Sequence, residues 1–101
     1  MLASNVAKSG MLSFSKTLAG EVAAENITVN SILPGRILTP QLTGWWSEEE
    51  IEKIAEAQIP AKRFGVAEEL ADLVVFLASE RASYITGSTI PVDGGMSKGL
   101  Y

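Results

Sequence analysis

The chain has 101 residues, 47% of them hydrophobic and 20% charged, with a net charge of −4 and neither His nor Cys. This is ordinary globular composition for at most one small domain, which buries somewhat over ~60% of its unfolded surface and is thinly stable. The missing His and Cys argue against a zinc or transition-metal site and against a disulfide framework, and eight scattered basic residues argue against a nucleic-acid partner.

The first predicted element is a helix from about Ala3 to Ala24. Met11, Phe14, Leu18 and Val22 recur at spacings of three and four, the helical signature. Leu12, Ala19 and Ala23 form a second apolar face, so the helix is expected to be covered on two sides, one by a sheet and one by a partner subunit. Ser4, Asn5, Lys8 and Ser9 interrupt this segment, which therefore lacks the apolar core of a signal peptide. Nothing approaches the roughly 18 consecutive apolar residues of a membrane span. A cytoplasmic location is expected, and the absence of Cys is compatible with it.

A short β-branched strand follows over Ile27–Leu33 and runs into the turn Pro34-Gly35. In open α/β sheets, ligands sit just past the carboxyl ends of strands, and Gly lets the backbone approach a flat ligand closely. Thr39–Trp46 reads as a loop, although Thr39 also suits a helix cap. Ser47-Glu48-Glu49-Glu50 is a capping box opening a helix that reaches about Gln58, where Pro60 prevents continuation. Ala67–Ser79 reads as a third helix, with Glu68 and Glu69 in its first turn and Leu70, Leu73, Val74 and Leu77 on its core face. Ser88–Val92 is the second strand, and Asp93-Gly94-Gly95 turns away from it. Such an order is helix, strand, helix, helix, strand. Two parallel strands alone lack the cover that parallel sheets need. Residues 1–101 thus read as the C-terminal portion of a doubly wound α/β Rossmann fold, incomplete on its own.

Four blocks in this order carry a family resemblance: Ser4-Asn5-Val6-Ala7-Lys8-Ser9-Gly10, Thr28–Thr39, Ala61–Glu69 and Tyr84–Gly95. Together they resemble the C-terminal portion of a short-chain dehydrogenase/reductase, closest to the 3-oxoacyl-acyl-carrier-protein reductase branch. The resemblance implies NAD(P)H-dependent reduction of a carbonyl such as a 3-oxoacyl thioester, with NADP or NAD as cofactor and a small carbonyl or acyl substrate. It also implies a homo-oligomer through helix 3–24 and the last strand. Lys8 matches the family's ribose-binding Lys. That Lys lowers the pKa of a Tyr four residues earlier on the same helix face, and the Tyr transfers the proton. Pro34, Gly35, Ile37 and Thr39 match the segment beside the nicotinamide, with backbone groups at Ile37 and the Thr39 side chain meeting the carboxamide or the pyrophosphate.

The chain departs from the family at Ser4, which occupies the Tyr position. A Ser hydroxyl is a much weaker acid than a phenol and is shorter by a ring. Another group, a water, or a lost reaction is the alternative, and Ser4 also suits a helix start. Neither Tyr84 nor Tyr101 has a Lys four positions on. Asn30, mid-strand, is expected to bond a neighbouring loop rather than react. Arg36 admits two readings, a phosphate contact or a surface charge. Trp45 and Trp46 line an apolar substrate pocket or simply pack. Arg63-Phe64-Gly65 and Asp93-Gly94-Gly95 read as structural. The Gly-rich phosphate loop of the family is not in these residues, nor is its catalytic Ser. About 150 further residues are therefore expected upstream in a working reductase, and the chain alone is expected neither to bind a dinucleotide tightly nor to turn over substrate. The competing reading is an inactive oligomerisation module, with Leu12, Ala19 and the last strand as its contact surfaces.

Overall fold

The computed structural model describes residues 2–98; Tyr101 lies outside them. Helix α1 spans Leu2–Val22 and tightens into a 3-10 turn at Ala23–Glu25, followed by β1 (Ser31–Pro34), α2 (Pro40–Trp45), α3 (Glu48–Gln58), α4 (Ala67–Leu77), a second 3-10 turn (Glu80–Ala82) and β2 (Thr89–Val92). The two strands pair as β1–β2. Ser31 N–H donates to Ser88 O and Gly35 N–H to Val92 O, so both strands advance by four together and the ladder is parallel. The chain divides into two compact units. The first holds the residues up to Ile32 and Phe76–Ile90, and the second holds Leu33–Val75 and the residues from Pro91 on.

In the first unit α1 ends because Asn26 takes a left-handed conformation, φ 62°, one that Asn tolerates better than most residues. The inward stripe of α1 is Leu12, Ser15, Leu18, Ala19 and Val22, with Ala19 buried. Met11 and Phe14, on the first of the two apolar faces, are 64% and 62% exposed within this chain. The helical period is as read, but a two-sided apolar helix does not reveal which stripe its neighbours cover. Ala19, expected to face a partner, already packs inside the chain, where a Cβ on Gly87 would come within 3.5 Å of it.

The strand expected from Ile27 begins only at Ser31. Residues 27–30 are tied by side chains and by one main-chain bond, Gly87 N–H to Val29 O, instead of a regular ladder. Val29 N–H donates to Thr86 Oγ1, Asn30 Nδ2 donates to Ile85 O, and Ser88 N–H donates to Asn30 Oδ1. Asn30 is thus a structural bridge to the neighbouring loop, as its position suggests, with both ends of its amide satisfied.

In the second unit the core is Ala55, Ile59 and Phe64, with Leu38, Leu42, Trp46, Ile51, Ile54 and Met96 packed against it. The capping box of α3 is complete: Glu50 N–H donates to Ser47 Oγ, and Ser47 N–H donates to Glu50 Oε1. The loop expected over Thr39–Trp46 is instead α2. Thr39 Oγ1 accepts from Leu42 N–H with Pro40 in the first turn, the pair that starts helices. On α4, Leu70, Leu73 and Leu77 are half-buried, whereas Val74, expected in the core, is 48% exposed. After β2, Gly94 and Gly95 take φ of 63° and 87°, and the two Asp93 carboxylate oxygens accept from Gly95 N–H and Ser97 N–H. That turn holds Ala61, whose N–H donates to Gly94 O.

Phe64 is 4% exposed and is the one aromatic ring fully inside this core. Phe64→Ala is expected to cost about 3–5 kcal/mol in urea unfolding followed by circular dichroism, enough to unfold a chain this small. A loss under about 1 kcal/mol would mean that the pocket closes around the missing ring.

Candidate functional site

The site is built where β1 ends. Gly35 N–H donates to Val92 O, and a Cβ at Gly35 would lie 2.5 Å from Asp93 Cβ. Only Gly permits that approach. The next three residues are held by a second parallel pairing, Ile37 with Gly65. Gly65 N–H donates to Arg36 O and Leu38 N–H donates to Gly65 O, both at 2.9 Å. A parallel bridge uses the peptide groups on either side of its central residue. Among the described residues, the N–H and C=O of Ile37 itself therefore remain without a hydrogen-bond partner.

Gly65 is fixed in turn by Glu69. The Arg63 guanidinium grips the Glu69 carboxylate with two bonds, 2.8 and 2.9 Å, and Val66 N–H donates to Glu69 Oε1 at 3.0 Å. Val66 occupies the cap position of α4, so Glu69 supplies the returning half of a capping box. The hydrogen bond from Arg63, then that from Val66, holds the Glu69 carboxyl down at about 2, and the same bond raises Arg63. This clamp was not read from the sequence, although the three-residue spacing of Val66 and Glu69 was a usable signal.

Pro34, Gly35, Ile37 and Thr39, the four cofactor-facing residues expected from the sequence, line one open cleft of about 480 Å³, which Leu42, Ala67 and Leu70 complete. Ala67 and Leu70 come from an element distant in sequence and carry no local signature, whereas Leu42 lies three residues beyond Thr39. Thr39 uses a lone pair to cap α2, which leaves its hydroxyl proton free to donate. Arg36 meets no carboxylate among the described residues. Its guanidinium donates to Gln58 Oε1 at 3.0 Å and stands 5.7 Å from the centre of the Trp46 ring. Trp46 packs on the core while Trp45 is 70% exposed.

In the first unit Ser4 and Lys8 are exposed on α1. Four residues apart, they share one helix face. Ser4 lies in the first turn of the helix. No group of three or more metal-ligating side chains occurs among the described residues, and no helix among them is long and apolar enough to cross a membrane.

The Glu69 clamp makes stability depend on acid. Its carboxyl is depressed in the folded state, so the stabilisation is fully present above the unfolded value near 4.5 and is lost as pH falls towards about 2. Glu69→Gln is expected to flatten the pH dependence of thermal unfolding over that window. An unchanged slope would show that the clamp does not form in solution.

Residues 2–97 match the family model described as enoyl-(acyl carrier protein) reductase. The 3-oxoacyl-[acyl-carrier-protein] reductase FabG of Salmonella typhimurium is 52% identical over 90 residues, covering 89% of this chain and 36% of that protein. Nodulation protein G of Rhizobium meliloti is 47% identical over 90 residues, covering 89% and 36%. Among solved structures, YwfH, an NADPH-dependent reductase involved in bacilysin biosynthesis, is similar with a TM-score of 0.81 at 43% identity, over 91% of this chain and 38% of its own. The L-sorbose reductase of Gluconobacter frateurii, solved with NADPH and L-sorbose, gives 0.82 at 47% identity, over 95% and 40%. The chain thus spans little more than a third of the length of the proteins it matches.

Proposed function

The chain belongs to the short-chain dehydrogenase/reductase family, and on that premise we propose that it forms the nicotinamide side of an NAD(P)H-dependent carbonyl reductase. In full-length form that enzyme reduces a carbonyl such as a 3-oxoacyl thioester. The observation that carries the reading is the free peptide edge of Ile37 at the cleft. A carboxamide has one acceptor oxygen and a donor NH₂. The unpaired N–H and C=O of Ile37 match that pair, and the Thr39 hydroxyl has a proton to donate. The residues present therefore fit a nicotinamide group.

Bound there, the reduced cofactor supplies hydride to the substrate carbonyl carbon. What the chain itself does is hold and charge. Ile37 and Thr39 fix the ring's orientation through its carboxamide, and orientation alone is a large part of catalysis when reacting atoms must align. Pro34 and Gly35 bring the backbone close without a side chain in the way. By its match to the family's ribose-binding Lys, Lys8 would hold the ribose hydroxyls of the cofactor and supply positive charge to the reaction. Ser4 shares its helix face with Lys8. A Ser hydroxyl is too weakly acidic to replace a phenol as proton donor, so the proton-donor role falls to a group other than Ser4.

The test joins this chain to the part of the Salmonella typhimurium relative that precedes the matched region. The folded hybrid is expected to oxidise NADPH with an acetoacetyl thioester, and Lys8→Ala is expected to lower kcat about 100-fold. A folded but inert hybrid defeats the reductase reading and leaves assembly as the role of this segment.

A further inference from the structure

Arg36 is half-buried beside the cleft, and its charge is not answered inside the protein. Lys53, Lys62 and Arg63 each have a carboxylate within 4 Å; among the described residues Arg36 has none. Its surroundings explain why. Glu69 and Asp93 line the same small cavity as Arg36, about 130 Å³, but Glu69 is committed to Arg63 and both oxygens of Asp93 to main-chain N–H groups. Gln58 offers the guanidinium an oxygen without a charge. Arg36 Nε is buried with no partner. A guanidinium cannot shed its proton, so the charge of this half-buried side chain is left to solvent or to a ligand. The side chain is also held in place by Gln58 and the Trp46 ring. Arg36 additionally lines the larger cleft, whose other lining residues carry no ionisable side chain.

A guanidinium without a carboxylate partner, carried by a residue that lines an otherwise neutral cleft, is suited to recognise a planar or tetrahedral oxyanion. We infer that Arg36 selects the substrate, holding a carboxylate or phosphate that the carbonyl compound carries. The inference rests on the reductase reading for the identity of the ligand as substrate. Two sources share this chemistry: an oxo acid with its own carboxylate, and an acyl carrier arm with its phosphodiester or phosphate.

The test uses the full 101-residue chain carrying Trp45→Phe, so that Trp46 is the sole indole beside Arg36. Trp46 fluorescence is titrated with acetoacetate, with 4′-phosphopantetheine and with uncharged pantetheine. At least one anion is expected to give a saturable change while pantetheine gives none. Arg36→Gln is expected to raise the anion's Kd about tenfold or more, as loss of a charged hydrogen bond does. Gln58→Glu, which leaves Arg36 in place but answers its charge, is expected to weaken the same anion comparably. Response to acetoacetate alone identifies an oxo acid, and response to phosphopantetheine alone identifies a carrier arm. No response to either anion overturns the inference, as does equal binding of pantetheine, or anion binding unchanged in both variants. None of these probes needs hydride transfer. An inert hybrid reductase with intact anion binding therefore defeats only the reductase reading, and an active hybrid with no anion response defeats only the role of Arg36.

Discussion

The pairing of Gly65 with the peptides flanking Ile37 is the constraint on which the second unit turns. It does two things at once. It ties the segment after β1 to the segment before α4, and it spends the main-chain groups of Arg36 and Leu38 while sparing those of Ile37. The selection is geometric, because a parallel bridge leaves its central residue facing away. Every neighbour is arranged to keep the pairing in register. Phe64 anchors one side in the core, Leu38 packs on the same cluster, and Glu69 gathers Arg63 and Val66 around the turn. Two exposed bonds of this kind contribute little to global stability. Their value is local, in holding four residues to one path.

Much of this was readable from the amino acids, and the line between readable and unreadable follows the range of the interaction. The α3 capping box is complete within four residues, so Ser47 and Glu50 announce it. The Pro34–Gly35 turn, the final Asp93-Gly94-Gly95 turn and the bridging role of Asn30 are also short-range chemistry. The cleft residues Pro34, Gly35, Ile37 and Thr39 were identified by likeness to a family, and the structure places them on one surface. The misjudged elements depended on distant partners or on competing local signals. Met11 and Phe14 have the right period, yet only the rest of the chain decides which stripe of α1 is covered. The Thr39-Pro40 start signal of α2 competes with Gly44 and two Trp residues, which favour a loop. The environment of Arg36 comes from Gln58, 22 residues away, and no spacing rule connects them.

Ser4 and Lys8 show a different limit. Their relation along α1 follows from helical geometry, but the chemistry of that face depends on a residue type. A hydroxyl stands where a phenol is expected, and the difference is one of acidity and reach rather than of fold. The helix is indifferent to the exchange, since both positions are exposed on its surface. The fold of this segment therefore does not depend on which residue stands there, and chemistry can vary on one scaffold.

The two-stranded ladder limits what can pair alongside it. Ser31 and Gly35 point their N–H groups at β2, so by alternation Ile32 and Pro34 turn outward, as do Thr89 and Pro91 on the other strand. Each flank thus offers one N–H and then a proline, which has none to give. Any strand laid against either flank meets a gap in its ladder after a single donor, so pairing there is short by construction.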